Sequence, residues 1–187
     1  VDDGGHGKVF QNCSSLRTVS FAGCSLLEKI YWQSFQNCTS LESVDFTGCV
    51  GLKQIGAYTF SGCSKLTMLD LSECTQIDTL GREFWSSAMT SLLIPELPNL
   101  TKLGQRVFYG AKFEIDLAKF PSIQNVGEGE PNGGQQIFTG ANVVGDLSKW
   151  TDVREIKSNA FLACTALTAV DLSNAALLSS IESGVFT

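Results

Sequence analysis

The stretch that decides the fold is Phe35–Thr59, FQNCTSLESVDFTGCVGLKQIGAYT, because near copies of it lie on both sides. Its first phenylalanine recurs 25 residues earlier as Phe10 and 25 residues later as Phe60. Two cysteine positions follow the same spacing, and they hold Cys13, Cys38 and Cys63 and then Cys24, Cys49 and Cys74. A fixed period of roughly 20–29 residues is typical of a solenoid in which each repeat stacks on the next.

Seven repeats can be aligned along the chain. They begin near Phe10, Phe35, Phe60, Phe84, Phe108, Phe138 and Phe161. No repeat can bury its own apolar residues, so we predict that stacking forms a single solenoid domain over residues 1–187. Residues 127–137 are an insertion between two repeats, which predicts a loop on an outer edge or, alternatively, a contact loop. The chain starts without Met and ends on the opening of another repeat, so we expect it to be part of a longer protein.

Each repeat predicts the same local structure. The alternation Val44-Asp45-Phe46 favours a half-buried strand, and such strands stack about 4.8 Å apart into a parallel sheet. Leu52 and Ile55 favour a short extended segment on the opposite wall. A tight turn follows each repeat's phenylalanine, and its last residue needs the positive φ that Asn and Gly tolerate. These residues are Asn12, Asn37, Gly62, Gly110 and Gly140. The fold class is therefore an α/β-type repeat solenoid with little helix.

The seven cysteines look like core residues. Cys164 fills the first cysteine position of the last repeat, and other repeats have Ala111 or Ala141 there. A position that exchanges Cys for Ala is small, apolar and buried, which predicts free and inert thiols. Disulfides between stacked neighbours are the alternative. A zinc site is disfavoured, because no CxxC is present and the one histidine is His6.

Composition excludes several partners. The net charge of −6 argues against nucleic acid and anionic membranes, which attract basic surfaces. The sequence has no apolar run of roughly 18 residues or more, so we expect no membrane insertion of this segment. No motif indicates a cofactor.

One repeat shows a recognisable pattern in full. Leu41–Cys63, LESVDFTGCVGLKQIGAYTFSGC, has the form L-x-x-V-D-F/L-S/T-x-C-x-x-L-x-x-I-x-x-x-x-F-x-x-C. This pattern resembles the BspA-type leucine-rich repeat. The resemblance implies a right-handed superhelix with a parallel β-sheet on its concave face. It also implies an extracellular or cell-surface location, an adhesin-like or interaction role, and no shared catalytic residues.

The candidate binding residues are strand positions that point away from the core. They are Ser43, Asp45, Thr47, Met68, Asp70, Ser72, Asp116, Asp146 and Asp171. The middle position is Asp in five of seven repeats, although stacked like charges are unfavourable. Either each Asp accepts hydrogen bonds from the turn that follows, or the aspartates form an acidic stripe for a basic partner or a divalent cation. Cation binding is the weaker version, because the flanking Ser and Thr add few charged oxygen ligands.

The sequence favours a binding module over an enzyme. His6 lies outside the repeats, and the cysteines occupy core positions away from an activating base. We therefore predict a non-catalytic module that binds a protein or glycan ligand, for which a basic protein would suit the acidic stripe. A passive spacer that presents another domain is the alternative. Three segments, Asn12–Ser14, Asn37–Thr39 and Asn99–Thr101, match the acceptor motif for N-glycosylation, and the first two lie at tight turns.

Overall fold

The computed structural model describes residues 7–128 and 136–187 and divides the chain into two compact units, Val1–Pro95 and Glu96–Thr187. They are named the N-terminal unit and the C-terminal unit. The single domain that the repeats predict stays a prediction. His6 and residues 129–135, which form most of the predicted insertion loop, lie outside the described residues.

The N-terminal unit is built from two series of short parallel strands. The first series comprises β1 (Thr18–Ser20), β3 (Ser43–Asp45), β5 (Met68–Asp70) and β7 (Ser91–Leu93). The second comprises β2 (Lys29–Ile30), β4 (Gln54–Ile55) and β6 (Thr79–Leu80). Strands pair as β1–β3 and β5–β7 in the first series and as β2–β4–β6 in the second. Each pairing joins equivalent residues of successive repeats, for example Val19 with Val44.

The C-terminal unit repeats this arrangement with less regularity. Its larger sheet contains β8 (Lys102–Gly104), β10 (Asn125–Glu128), β12 (Glu155–Ile156) and β13 (Ser180–Ile181). The strands β9 (Glu114–Asp116) and β11 (Asn142–Val144) form a separate parallel pair, and one 3-10 turn, Leu117–Lys119, follows β9. The strand that the sequence predicts around Val170 does not form in residues 167–172. Val170 is 44% exposed there, so this segment lacks the buried face that holds the other strands in register.

Phenylalanine stacking marks the repeats, as the spacing predicts. In the N-terminal unit the ring of Phe35 stacks on Phe10 at 5.2 Å and on Phe60 at 5.5 Å between centroids. The C-terminal unit has an equivalent column, in which Phe138 stacks on Phe108 at 5.6 Å and on Phe161 at 4.9 Å. Rings at these distances gain packing energy beyond their burial, so the column ties each repeat to the next.

Core side chains of the first and last described repeats are more exposed to solvent than the sequence predicts. Phe10 is 39% exposed and Ile181 is 47% exposed. Cys13 and Cys24 are also exposed, which corrects the prediction that both are buried. The cause is stacking: among the described residues, the first repeat packs on the second alone, whereas inner repeats are covered on both sides.

The predicted left-handed turn residues are confirmed. Their φ values are 63° at Asn12, 60° at Asn37, 78° at Gly62, 65° at Gly110 and 66° at Gly140. At Gly62 a Cβ would lie 2.3 Å from the side-chain oxygen of Asn37, so a larger residue there would have to displace that side chain. A second left-handed series precedes the phenylalanines and was not predicted. It comprises Lys8, Gln33, Tyr58, Arg106, Gln136 and Asn159.

Candidate functional site: the acidic face of the N-terminal unit

The predicted outward residues of two neighbouring repeats share one surface, which we name the acidic face. It comprises Ser43, Asp45, Thr47, Met68, Asp70, Ser72 and Glu73, all exposed. Strand alternation produces it, because Val44 and Leu69, which lie between these residues on β3 and β5, are buried. The structure therefore places the six predicted residues of this unit together.

Apolar side chains border the acidic face. Met68, on β5, is 53% exposed, and Leu93, on β7, is 45% exposed. The pairing of β5 with β7 sets Leu93 directly beside Asp70. The fourth repeat has no Asp at this position, so the row of carboxylates ends on an exposed leucine. Charge and apolar surface thus lie side by side.

A shallow cavity of about 210 Å³ opens on the acidic face. The residues that line it include Asp45, Thr47, Asp70, Ser72 and Glu73. Among the ion pairs of the described residues, none includes any of these three carboxylates. No cation among the described residues therefore neutralises the negative charge of the cavity.

Every aspartate of the predicted series closes the turn that follows it. Each Oδ1 accepts the backbone N–H two residues later at 2.9 Å. The pairs are Asp45 with Thr47, Asp70 with Ser72, Asp116 with Ala118, Asp146 with Ser148 and Asp171 with Ser173. This is the geometry of an Asx turn. The interpretation of the aspartates as turn-closing residues is confirmed.

Further hydrogen bonds hold two carboxylates of the acidic face in place. The hydroxyl of Ser20 donates to Oδ2 of Asp45 at 3.2 Å. The backbone N–H and then the hydroxyl of Thr47 keep the pKa of Asp45 below its ordinary value. The backbone N–H of Gly48 donates to Oε2 of Glu73 at 2.7 Å. Both side chains are thus oriented before any ligand arrives.

Glu73 is a residue of this face that the sequence did not single out. The sequence feature that could have identified it is its repeat position, because Glu73 occupies the place that Gly23 and Gly48 have in the preceding repeats. In the first repeat the N–H of Gly23 donates to the backbone oxygen of Thr47, whereas the N–H of Gly48 donates to the Glu73 carboxylate. A side chain has replaced a backbone acceptor and brought a third charge to the cavity.

Charges on the second strand series are arranged differently. Lys53 bonds Glu28 at 2.6 Å, and the nearby carboxylate of Asp78 also acts on it. In the C-terminal unit Lys157 contacts Glu155 at 2.7 Å and Glu182 at 3.1 Å. Exposed pairs of this kind stabilise little individually, but they cancel charge locally. Within the described residues, the carboxylates of the acidic face form no ion pair of this kind.

The C-terminal unit does not reproduce the predicted acidic row. The sequence alignment placed Asp146 beside Asp116, but β11 pairs Val144 with Asp116. A left-handed Gly145, with φ of 86°, then carries Asp146 beyond the strand. Asp116 is half-buried and caps the 3-10 turn, and Asp171 lies in a segment without a strand. The expected in-register row is therefore wrong for this unit.

All seven cysteines are free thiols, and those other than the exposed Cys13 and Cys24 are packing residues. Four of them donate to the backbone oxygen of a phenylalanine one repeat earlier. These bonds are Cys38 to Phe10 at 3.0 Å, Cys49 to Phe21 at 3.2 Å, Cys63 to Phe35 at 3.1 Å and Cys164 to Phe138 at 2.9 Å. Burial raises the pKa of the Cys63 and Cys74 thiols to about 12. A thiol in such surroundings is inert, since the thiolate is the reactive form.

Neither a metal-binding cluster nor a membrane-spanning helix occurs within residues 7–128 and 136–187. In this part of the chain no cluster of three or more His, Cys, Asp or Glu side chains could bind a metal ion. No helix within it is long and apolar enough to cross a membrane.

Hydrogen bonds lower the pKa values of several exposed carboxyls. The hydroxyl and N–H groups of Ser148 and Ser173 act on Asp146 and Asp171, respectively. The N–H and hydroxyl of Ser158, with Lys157, act on Glu182. Lys157 itself has a raised pKa, because it donates to Glu155 and to Glu182.

Stability is expected to be highest at intermediate pH. A carboxyl with a lowered folded pKa binds protons more readily when unfolded, so its contribution is lost as pH falls below the ordinary values of 4.5 and 3.8. A lysine with a raised folded pKa loses its contribution as pH rises above 10.5. Urea unfolding at a series of pH values should show both declines. A free energy of unfolding that stays constant down to roughly pH 3 would contradict the acid branch.

Comparison with known proteins identifies the family of this repeat. A protein-family model described as a BspA type leucine-rich repeat region matches residues 6–129 and 132–187 in six copies. The chain belongs to the BspA-type leucine-rich repeat family. The resemblance and the repeat solenoid are thereby confirmed, although the family model counts six copies where the phenylalanine spacing gives seven. Leucine-rich repeats of this kind form modules for protein interaction.

Solved and curated proteins add little to the BspA-type assignment. A crystal structure of a leucine-rich repeat protein from Bacteroides ovatus is similar over 94% of this chain, at 15% sequence identity and a TM-score of 0.37. The chain spans 63% of the length of that protein. No curated protein matches the chain.

Proposed function

We propose that this BspA-type chain is a non-catalytic, adhesin-like binding module of a cell-surface or secreted protein, and that its acidic face binds a basic segment of a protein partner. The observation that supports the proposal is the cavity of about 210 Å³ lined by Asp45, Asp70 and Glu73, carboxylates that form no ion pair with the described residues. A partner of opposite charge would bind such a surface more specifically and associate with it faster than a neutral partner.

The geometry suits a lysine or arginine side chain. Hydrogen bonds from Thr47, Ser72 and Gly48 orient the three carboxylates, so little ordering is needed on binding. The aliphatic part of the ligand side chain, or an apolar neighbour, would cover Met68 and Leu93. An extended basic segment with apolar residues is therefore the favoured partner over a glycan, which lacks the positive charge.

The chemistry of the chain supports a role without catalysis. Cys63 and Cys74 have raised pKa values, which is the opposite of what a nucleophilic thiol needs. The carboxylates of the acidic face are exposed, whereas a general acid at neutral pH needs a buried carboxyl with a raised pKa.

A passive spacer is the second candidate. The Asx turns favour it, because each aspartate has a structural use without a ligand. The spacer and the binding module differ in the expected effect of removing the negative charge from the acidic face. A spacer tolerates neutral residues that keep the turn, whereas a binding face loses its partner.

The test uses substitutions that keep the hydrogen-bond acceptor and remove the charge. A triple variant with Asp45→Asn, Asp70→Asn and Glu73→Gln should bind a synthetic Arg- and Leu-containing peptide at least about tenfold more weakly by calorimetry at low salt. The matched control carries Asp116→Asn, Asp146→Asn and Asp171→Asn, which removes the same number of charges from the C-terminal unit. Equal weakening in both variants would indicate unspecific attraction, and unchanged affinity in the first would support the spacer.

The proposed location has its own test. An antibody against this chain should label intact, unpermeabilised cells of the source organism or detect the protein in the medium. Labelling that requires permeabilised cells would argue against a surface or secreted role.

A further inference from the structure

Two cysteines of neighbouring repeats lie against each other in the N-terminal unit. Cys24 and Cys49 occupy the same position of the first and second repeats, 25 residues apart, and are named the stacked pair. Directly before Cys24, the N–H of Gly23 donates to the backbone oxygen of Thr47 at 2.8 Å. This bond between the repeats fixes which residues face each other, so the stacked pair is held in register.

The two backbones come close at the stacked pair. At Gly48, directly before Cys49, a Cβ would lie 3.4 Å from the Cα of Gly23, directly before Cys24. Parallel strands lie about 4.8 Å apart, and the Cα atoms of a disulfide are usually about 4.4–6.8 Å apart. A disulfide also brings its Cβ atoms to about 3.8 Å, and neither glycine has a side chain that would resist this small approach. The stacked pair therefore lies within the range that a disulfide can bridge.

The two thiols of the stacked pair differ in their access to solvent. Cys24 is exposed, whereas Cys49 is buried. The thiol of Cys49 donates to the backbone oxygen of Phe21 at 3.2 Å, and the N–H of Cys24 donates to the same oxygen at 2.9 Å. Burial, and then the charge of a deprotonated Cys24, raise the pKa of the Cys49 thiol. An oxidant from solvent therefore meets Cys24 first, with Cys49 beside it as the second thiol.

We propose that Cys24 and Cys49 form a disulfide in the presence of a small-molecule disulfide such as oxidised glutathione, and that this bond ties the first repeat to the second. The thiolate of Cys24 attacks one sulfur of the oxidant, which breaks its S–S bond and releases one glutathione thiolate. The thiolate of Cys49 then attacks the sulfur of Cys24 in this mixed disulfide and releases the second glutathione. The two cysteines lose two protons, which the leaving thiolates take up, and two electrons pass to the oxidant. The surface or secreted location proposed above would supply oxidising conditions, in which such bonds persist.

Other stacked cysteines differ from this pair. Cys13 and Cys38 follow Asn12 and Asn37, whose side chains bond each other at 3.1 Å and so hold the spacing of the repeats there. Cys74, the next cysteine beyond the stacked pair, is buried, and burial raises its pKa to about 12. It therefore presents little thiolate to an oxidant. The stacked pair combines an exposed thiol with two preceding glycines.

The test is oxidation of the reduced chain with oxidised glutathione at pH ~8, followed by alkylation with iodoacetamide and digestion without reductant. Expected is the loss of two of the seven free thiols. Mass spectrometry should find the peptides of Cys24 and Cys49 joined, and a reductant should separate them. The oxidised chain should also unfold at a higher urea concentration than the reduced chain, because the bond restricts the unfolded state. Glutathione that stays on Cys24, a link from Cys24 to Cys13, or no link at all would overturn the proposal.

Variants check the order of the two steps. Cys49→Ala should leave glutathione on Cys24 as a stable mixed disulfide, whereas Cys24→Ser should leave Cys49 unmodified. Cys74→Ala is the matched control, because it removes a buried cysteine of the next repeat and should leave the link intact. Rapid modification of Cys49 in the Cys24→Ser variant would contradict the proposed order. None of these measurements involves peptide binding, so the acidic face and the disulfide can fail separately.

Discussion

Replacing Phe60 with alanine is expected to lower the free energy of unfolding by about 3–5 kcal/mol. Phe60 is fully buried and its ring stacks on that of Phe35 at 5.5 Å, so the substitution leaves a cavity between repeats. Urea unfolding followed by circular dichroism measures the loss.

The matched control is Phe10→Ala. Phe10 stacks on Phe35 in the same way but is 39% exposed, so its removal should destabilise the chain by roughly 1–2 kcal/mol. Equal losses for the two variants would contradict a core that is continuous through the inner repeats and open at the first. A loss below about 1 kcal/mol for Phe60→Ala would contradict the stacking account itself.

Thiol alkylation is expected to divide the cysteines into two classes. Cys13 and Cys24 are exposed and should react with iodoacetamide at pH ~8 on the timescale of an unhindered thiol. Cys63 and Cys74 are buried, and their pKa of about 12 against the ordinary 9.0 leaves roughly a thousandfold less thiolate. Mass spectrometry of peptides sampled over time measures the rate at each cysteine.

Denaturant provides the control for this experiment. In concentrated urea all cysteines should react at similar rates, because burial is then lost. Rapid labelling of Cys63 in the native chain would show that the inner repeats open often. Labelling of Cys38 and Cys49 should be intermediate, since each lies one repeat below an exposed cysteine and donates to the backbone of that repeat.

The repeating parts of the fold could be predicted because every repeat shows the same residue types at the same spacing. The positions of Phe35 and Phe60, the strand at Val44 and the left-handed turn at Asn37 all follow from spacing and residue type. The Asx turn at Asp45 was also foreseen as one of two explanations. At these positions the conformation that each residue type prefers is also the one that stacking of the repeats requires. The sequence pattern was therefore sufficient to predict the structure there.

The remaining features depend on pairing, which spacing alone does not determine. Asp146, which was predicted to lie beside Asp116, lies beyond β11, because Val144 pairs with Asp116 and a left-handed Gly145 follows. The exposure of Cys13 depends on which repeats cover it, and a residue's type does not reveal that. Glu73 was missed because its role comes from an N–H of the preceding repeat.

The Asx turns also have a consequence for evolution and design. The turn needs one side-chain oxygen at the aspartate position, and asparagine supplies the same oxygen without the charge. Asp45 and Asp70 can thus exchange between the two residue types while the backbone keeps its path. A lineage, or an engineer, could retune the charge of this surface repeat by repeat and change what it recognises without redesigning the scaffold.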